Sequence, residues 1–400
     1  MIHHNMKAKN NIVFLISKDC MSIEALPCYG GGKYWKGKTP NIDDLAKKGT
    51  VFLRHYTAAP STSMSMSAML TGRYPYEFTS RMHYVKVSPS EFPSIFDRFQ
   101  QEGYECHMIW DKTWIHMAWR FVREFGDEEK TCFHNLDIAQ ATAPHKLGDE
   151  KLKRNEELLA QTKGQIYDTL HSIDYSKSQF VWMHLPHILK GRRSYQDDMD
   201  VFDEIVGEVR RLVGDENIVL TSDHGHMNMH KHKLGYGFDV YEPAIRIPLI
   251  TPRINGIEEV KTISSNVDLP DIIFNHVIPQ RSFVISDTKY YAQTGRKISL
   301  TAERFKYIYR AADKCEELYD LEWDPREEYN ILEELFYDVD RKKYIFSIEQ
   351  YFYPYFDEAM EAYKLLKAEK EKIWREGSFK ERSFVKIWNL GVKVKHALHL

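Results

Sequence analysis

The sequence predicts an α/β protein: a doubly wound, mostly parallel sheet, then a small antiparallel C-terminal subdomain and C-terminal helices. Three observations predict it. Apolar runs of strand length recur at residues 11–17, 179–184 and 218–220, the texture of strands covered on both faces. Stretches of helical period alternate with them. Each run ends in acids or imidazoles (Asp19; His184 and His187; Asp223 and His224), and open α/β sheets collect ligands just past the carboxyl ends of their strands.

The elements follow in order. Residues 11–17 form the first strand. Residues 30–32, all glycine, mark a loop. A helix starts near Thr39, which can cap it, with Pro40 in the first turn and Asp43 and Asp44 near the positive end of its dipole. Gly49 stops it, and residues 51–56 alternate as one strand. Hydroxyl-rich residues 60–65 lead into a helix that ends at Gly72. An amphipathic helix at 93–103 precedes a strand at 104–110, after which come Asp111, Lys112 and His116. Residues 148–172 read as a charged surface helix, 194–213 as a helix with acids first, and 246–250 as one further strand. Another helix starts near Asp268. From Ser282 the texture becomes short alternating runs, including 289–292 and 305–309. Residues 332–372 are helical in pattern. Residues 379–400 are basic, with Phe384, Ile387, Trp388 and Leu390 spaced for one helix face, which suits an anionic membrane surface or packing on the body. Three units follow: a catalytic α/β domain over 10–280, an antiparallel subdomain over 281–335 and a helical extension over 336–400.

Composition bounds the function. The chain has 400 residues and a formal net charge of −3, which argues against a nucleic-acid-coating protein. Its five cysteines are scattered without a CxxC pair, so neither a zinc ribbon nor a disulfide framework is indicated. Residues 1–10 are polar and residues 12–16 too short for a signal or spanning segment. The expected location is the cytoplasm.

The chemistry concentrates at the strand ends. Asp223 is a hard oxygen ligand and His224 a borderline nitrogen ligand, a pair that suits a divalent cation; a capped turn is the plainer use of the same Asp. Asp19 ends a neighbouring run in the same way, so two parallel strands can converge on one ion. The hydroxyls of Ser61, Thr62, Ser63 and Ser65 stand where a helix N-terminus either needs a cap or holds an anion. Any of the four, touching a metal, would be an activated nucleophile.

At this point the residues resemble the sulfatase branch of the alkaline-phosphatase superfamily. Five pieces occur in order: the strand plus acid to Asp19; residues 39–49 with Phe52 and Tyr56; residues 60–75, ending Leu-Thr-Gly-Arg-Tyr-Pro; Ser222 to Gly225 with Tyr241, Glu242 and Arg246 downstream; and Lys306 with residues 317–330. Together they cover roughly residues 10–335. The resemblance implies one divalent metal ion (Ca, Mg, Mn or Zn) held by Asp19, Thr62, Asp223 and His224. By its spacing from Thr71 and Gly72, Thr62 occupies the nucleophile position, where typical sulfatases carry a cysteine later oxidised to formylglycine. Met64 and Met66 replace the usual proline and arginine. Threonine there resembles the phosphoethanolamine and phosphoglycerol transferases instead. The resemblance further implies His187 and Lys112 as catalytic residues and His232 and Lys233 as substrate-binding ones; Lys18 stands where family members often carry a second acid, and is expected to lower the site's negative charge or bind a substrate oxygen.

The expected function is metal-dependent hydrolysis or transfer of a phosphate ester on a small molecule, glycan or lipid headgroup, with Thr62 attacking and His187 protonating the leaving alcohol. Two alternatives stand beside it: a sulfuric ester hydrolase with an unusual nucleophile, and a non-catalytic member that binds an anionic glycan or lipid.

Overall fold

The computed structural model describes residues 11–31, 38–77, 80–81, 84–85, 93–111, 131–138, 141–142, 149–190, 195–288, 295–332 and 355–376. Eight strands form the central sheet: β1 (Ile12–Lys18), β2 (Thr50–Phe52), β3 (Glu105–Asp111), β4 (Thr131–Leu136), β5 (Gln179–Leu185), β6 (Ile218–Ser222), β7 (Leu249–Thr251) and β8 (Glu259–Val260). Across the sheet they lie in the order β8-β2-β7-β6-β1-β5-β3-β4. Only β7 opposes its neighbours. Strand β1 sits between β5 and β6, where the winding reverses, so its carboxyl end opens onto the crevice of a doubly wound sheet.

Alternation along β1 explains the two layers. Phe14 and Ile16 point to one face and pack with Ile42 and Leu45 of α1 (Pro40–Lys48), Ile166 and Leu170 of α4 (Asp149–Ser172), and Phe202 and Ile205 of α5 (Tyr195–Val213). Leu15 points to the other, against Met64 and Met69 of α2 (Thr62–Thr71), Phe96 of α3 (Ile95–Gln101), Trp182 of β5 and Ile272 of α7 (Leu269–Asn275). The continuous apolar run needed both faces covered, and the helices supply that cover. Each buried aliphatic or aromatic side chain contributes about 1.5–3 kcal/mol.

The first helix starts where the sequence says, but its cap comes from elsewhere. The Thr39 hydroxyl caps nothing and is left without a partner. Asp203 of α5 reaches over instead, accepting the Asn41 N–H (3.1 Å) and the Ile42 N–H (2.9 Å). Asp203→Ala is therefore expected to cost about 1–2 kcal/mol of unfolding free energy, the scale of a lost N-cap, in urea titration. A change within error would show that water replaces the carboxylate. Gly49 ends α1 because space runs out: a Cβ there would stand 2.3 Å from the Thr251 carbonyl oxygen.

Two expected strands divide. Residues 51–56 and 246–250 pair antiparallel, but the pairing breaks at Leu53 and at Pro248, which lacks an N–H for the ladder. The outer halves, His55–Tyr56 and Arg246–Ile247, join Ser264–Ser265 in a separate three-stranded sheet. The Arg246 guanidinium donates twice to the Leu53 carbonyl (2.7 and 3.0 Å), which belongs to neither half.

A separate antiparallel sheet follows, in sequential order: β9 (Phe283–Asp287), β10 (Lys297–Ala302), β11 (Phe305–Arg310) and β12 (Cys315–Asp320). Helix α8 (Phe356–Glu376) lays Ala359, Tyr363 and Leu366 against Leu300, Tyr307 and Leu318 of this sheet. A buried ion network joins the sheet to the body. Lys306 Nζ lies 3.1 Å from Glu242, at the start of the short α6 (Glu242–Ile245), and 2.8 Å from Glu327. Among the described residues no helix is long and apolar enough to cross a membrane. The expectations for residues 289–292, 333–354 and 379–400 lie outside the described residues.

Candidate metal centre

Register decides which side chains meet. Lys18 of β1 stands opposite Leu185 of β5 and Ser222 of β6. The next residues, Asp19 and Asp223, therefore leave adjacent parallel strands side by side. The N–H groups of Cys20 and His224 both donate to Asp223 Oδ1 (3.2 and 2.8 Å), which aims Oδ2 away from the backbone. Gly225 is dictated by space, since a Cβ there would lie 2.0 Å from the Pro243 carbonyl oxygen.

Helix α2 is fastened to this turn. Ser65, in its first turn, donates its hydroxyl to the Asp223 main-chain carbonyl and accepts from Asn266 Nδ2 (2.8 Å). Thr62, the first residue of α2, is thereby brought to His224, with its Oγ1 3.2 Å from Nε2. The same Nε2 lies 3.5 Å from Asp19 Oδ1 and 3.3 Å from Asp223 Oδ2. The four residues expected to surround one cation do converge.

Their state fits a cation. Both oxygens of Asp19 and Oδ2 of Asp223 are buried without a hydrogen-bond partner. Buried carboxylate oxygens left so are costly unless a positive charge faces them. Hard oxygens plus one imidazole suit a divalent ion. The imidazole is in the right tautomer: Nδ1 faces the Gly225 carbonyl at 3.0 Å, which can only accept, so the Nε2 lone pair faces the carboxylates. Cys20 belongs to the same cluster, its ligand atom within 4.8 Å of those of Asp19 and His224. Its Sγ, however, lies 3.6 Å from Nδ1, at the opposite edge of the ring. One ion cannot occupy both edges, so Cys20 stands behind the ligand set rather than within it. Burial, with Asp19 and Asp223 nearby, pushes its thiol well above the usual range.

The two carboxyls are shifted in opposite directions. Burial pushes Asp19 upward, but His224, His187, His184 and Lys18 outweigh it and hold that carboxyl below its ordinary value. Burial also pushes Asp223 upward, and with the charge of Asp19 it prevails over His224, raising the carboxyl to about 6.

Lys18 corrects an expectation. The alternation that sends Phe14 and Ile16 toward α5 sends Lys18 there too. Its ammonium, fully buried, lies 2.6 Å from Asp198 Oδ2 and donates to the Pro186 carbonyl (3.3 Å), so it does not face a substrate. Asp198 also accepts from His187 Nδ1 (2.9 Å) and the Ile188 N–H (2.6 Å). Burial opposes ionisation of Asp198, yet Lys18 and His187 prevail and lower its carboxyl to about 2. His187, its side chain 27% exposed, is left with Nε2 as its working edge.

Lys233 is likewise committed elsewhere. Its ammonium lies 2.8 Å from buried Asp239, which also holds Lys297 at 2.7 Å. His232 is exposed, and among the described residues no hydrogen bond or ion pair links its side chain to the cluster. Lys112 lies outside the described residues. Three neighbours of the cluster were given no role by sequence reasoning. Tyr236 stacks on His224, with centroids 4.5 Å apart. His226, held to Asn228 at 2.8 Å, is pushed below its ordinary value by burial. His184 at the end of β5 is the third.

Comparison with known proteins identifies the family. The chain matches the family model described as Sulfatase over residues 10–277. Arylsulfatase K of Xenopus laevis is 24% identical over 305 residues, covering 58% of this chain and 56% of that protein. Choline-sulfatase of Rhizobium meliloti is 26% identical over 178 residues, covering 37% of this chain and 34% of the relative. The matched segment thus spans about half the length of the first of these relatives and about a third of the second. Among solved structures, a 2-O GAG sulfatase superposes with a TM-score of 0.67 at 16% identity, over 91% of this chain and 93% of that one. The phosphonate monoester hydrolase of Agrobacterium radiobacter does so with a TM-score of 0.61 at 16% identity, over 91% and 96%. At such identities the superpositions speak to fold alone. The family match covers more than half of the chain and contains all four converging residues: the protein belongs to the sulfatase family.

Proposed function

We propose that the chain is a metal-dependent enzyme that cleaves a phosphate ester with Thr62 as nucleophile, passing the phosphoryl group to water or to an acceptor alcohol. The observation that carries this is the Thr62 hydroxyl at the head of α2, 3.2 Å from His224 Nε2 and beside buried carboxylate oxygens that no donor satisfies. A divalent cation held by Asp19, Asp223, His224 and Thr62 would neutralise the ester's negative oxygens and lower the hydroxyl's pKa.

The chain's own residues supply the rest. Free amides at the start of α2 favour an anion there. Thr62 Oγ1, its proton released to bulk water, attacks phosphorus in line, and its new bond forms as the bond to the leaving oxygen breaks. His187 gives that oxygen a proton from Nε2, while Asp198 on Nδ1 fixes the ring's orientation. A sulfate ester is the second reading, favoured by family membership and the names of the relatives. Against it stands the residue itself, since a threonine has no thiol to oxidise to formylglycine.

The test incubates the protein with p-nitrophenyl phosphate, bis-p-nitrophenyl phosphate and p-nitrophenyl sulfate under each of Ca, Mg, Mn and Zn. Release from a phosphate ester, with a phosphoryl adduct on Thr62 in quenched protein, is expected. Release from the sulfate alone selects the second reading. No release from any ester leaves the non-catalytic, anion-binding reading. Metal binding has its own readout. At about 100 times its dissociation constant the ion should raise unfolding free energy by about 2.7 kcal/mol. Asp223→Asn should abolish that gain, and an equal gain in the variant would remove Asp223 from the ligand set.

A further inference from the structure

We infer that His184 is a further catalytic residue of this centre: a neutral imidazole whose Nε2–H hydrogen-bonds a non-bridging oxygen of the ester group under attack. The inference rests on reading the cluster as an ester-cleaving centre and adds to it a donor that carries no charge.

Placement comes first. His184 is paired in register with Ser17 of β1, one level before Asp19 leaves the sheet. Strand alternation puts Ser17, His184 and Trp182 on the face that carries α2, with Thr62 at its head, and Lys18 and Leu185 on the other. The imidazole therefore stands on the nucleophile's side of the sheet. It stands close enough to Asp19 and His224 for their charges to act on it, Asp19 favouring its protonation and His224 opposing it.

The protonation pattern follows from donor chemistry. Trp182 Nε1 can only donate, and it lies 2.8 Å from Ser17 Oγ. That oxygen therefore accepts, and its own hydrogen remains to be placed. His184 Nδ1, at 2.9 Å, is the acceptor available to it. A Trp–Ser–His relay thus leaves Nδ1 bare and puts the ring's proton on Nε2, at the edge of the ring away from Ser17. No group among the described residues hydrogen-bonds Nε2, although the residue is only 9% exposed.

The ring stays neutral as well. Burial lowers its pKa to about 4, although the charge of Asp19 pulls the other way; Lys18 and His224 add to the lowering. A neutral N–H suits the task. It meets developing negative charge at every working pH and brings no positive charge to compete with the cation. Sequence alone gave His184 a place at a strand end without a role. The relay through Ser17 shows which nitrogen is free.

The test has two independent arms. In the first, 15N-histidine-labelled protein is examined by NMR near neutral pH. His184 should be protonated at Nε2 and bare at Nδ1. Ser17→Ala should mix the two tautomers, and inorganic phosphate added with metal should shift the Nε2 resonance. In the second, His184→Leu should lower kcat about 10²–10³-fold, the usual cost of one such donor, with KM changed only a few-fold. That loss should be constant between about pH 5.5 and 8.5, because a group neutral throughout does not titrate there. His184→Gln, which keeps a donor, should recover to within about tenfold of wild type.

A bare Nε2 or an imidazolium near neutral pH overturns the inference. So does a His184→Leu variant that loses stability but keeps kcat. If wild type turns over no ester, the functional reading fails, and the NMR arm still decides. An Nε2–H that phosphate shifts keeps the donor assignment for anion binding, and one that phosphate leaves unmoved removes it.

Discussion

Thr62→Ala loses ester cleavage by about 10⁴-fold or more in kcat, the scale seen when a nucleophile is deleted, while the fold survives. Little structure depends on this side chain. Among the described residues its hydroxyl is bonded to His224 alone, and it sits at the first position of a helix, where alanine is well tolerated. Unfolding free energy should therefore stay within about 1 kcal/mol of wild type, and divalent-ion affinity should weaken without vanishing, since three ligands remain. Thr62→Ser should keep measurable turnover. Should Thr62→Ala retain activity within tenfold of wild type, the nucleophile is another group, with Ser61 and Ser63 the nearest hydroxyls in the chain.

The second large effect is on stability. Asp198→Asn should cost about 3–5 kcal/mol, because the fully buried Lys18 ammonium then has no charge opposite it. Replacing both residues, Lys18→Met with Asp198→Leu, should restore most of the loss, since two apolar side chains of that size suit the same space. It should not restore turnover, because His187 loses the carboxylate that orients it. The pair also sets an acid limit. The Asp198 carboxyl sits at about 2 in the folded protein against an ordinary 3.8. A lowered folded-state value stabilises the fold fully above the unfolded value and is lost as pH falls through the folded one. Wild type should therefore lose this contribution between about pH 4 and 2, a component of acid unfolding that Asp198→Asn lacks. A parallel acid transition in the two proteins would refute the assignment.

The two strands whose carboxyl ends converge were legible because apolar runs of strand length bounded by an acid leave few alternatives. The family resemblance, through the spacing from Thr62 to Gly72, then offered Thr62 as the expected nucleophile among four hydroxyls that local chemistry could not separate. Lys18 went astray for a reason present in the letters. Counting by twos from Phe14 and Ile16 sends it to the α5 face, where Asp198 stands, and reading it as the neighbour of Asp19 ignored that parity. The same count places His184 with Ser17 on the other side. No local signal announces that Asp203 caps a helix more than 160 residues earlier, because such a cap depends only on how α1 and α5 lie together in space. The two divided strands escaped notice since Pro248 interrupts an otherwise convincing run. The positions of Lys233 and Lys297 around Asp239 likewise depend on the antiparallel sheet docking where it does.

The hydroxyl of Ser65 carries a consequence for descent. It anchors α2 to the turn bearing His224, so that anchor does not involve the side chain proposed as nucleophile at position 62. That position behaves as a socket: a thiol, a primary alcohol or a secondary alcohol can occupy it with the surrounding frame undisturbed. One codon change can therefore exchange the reaction while inheritance keeps the scaffold, and position 65 should tolerate replacement far less readily than position 62.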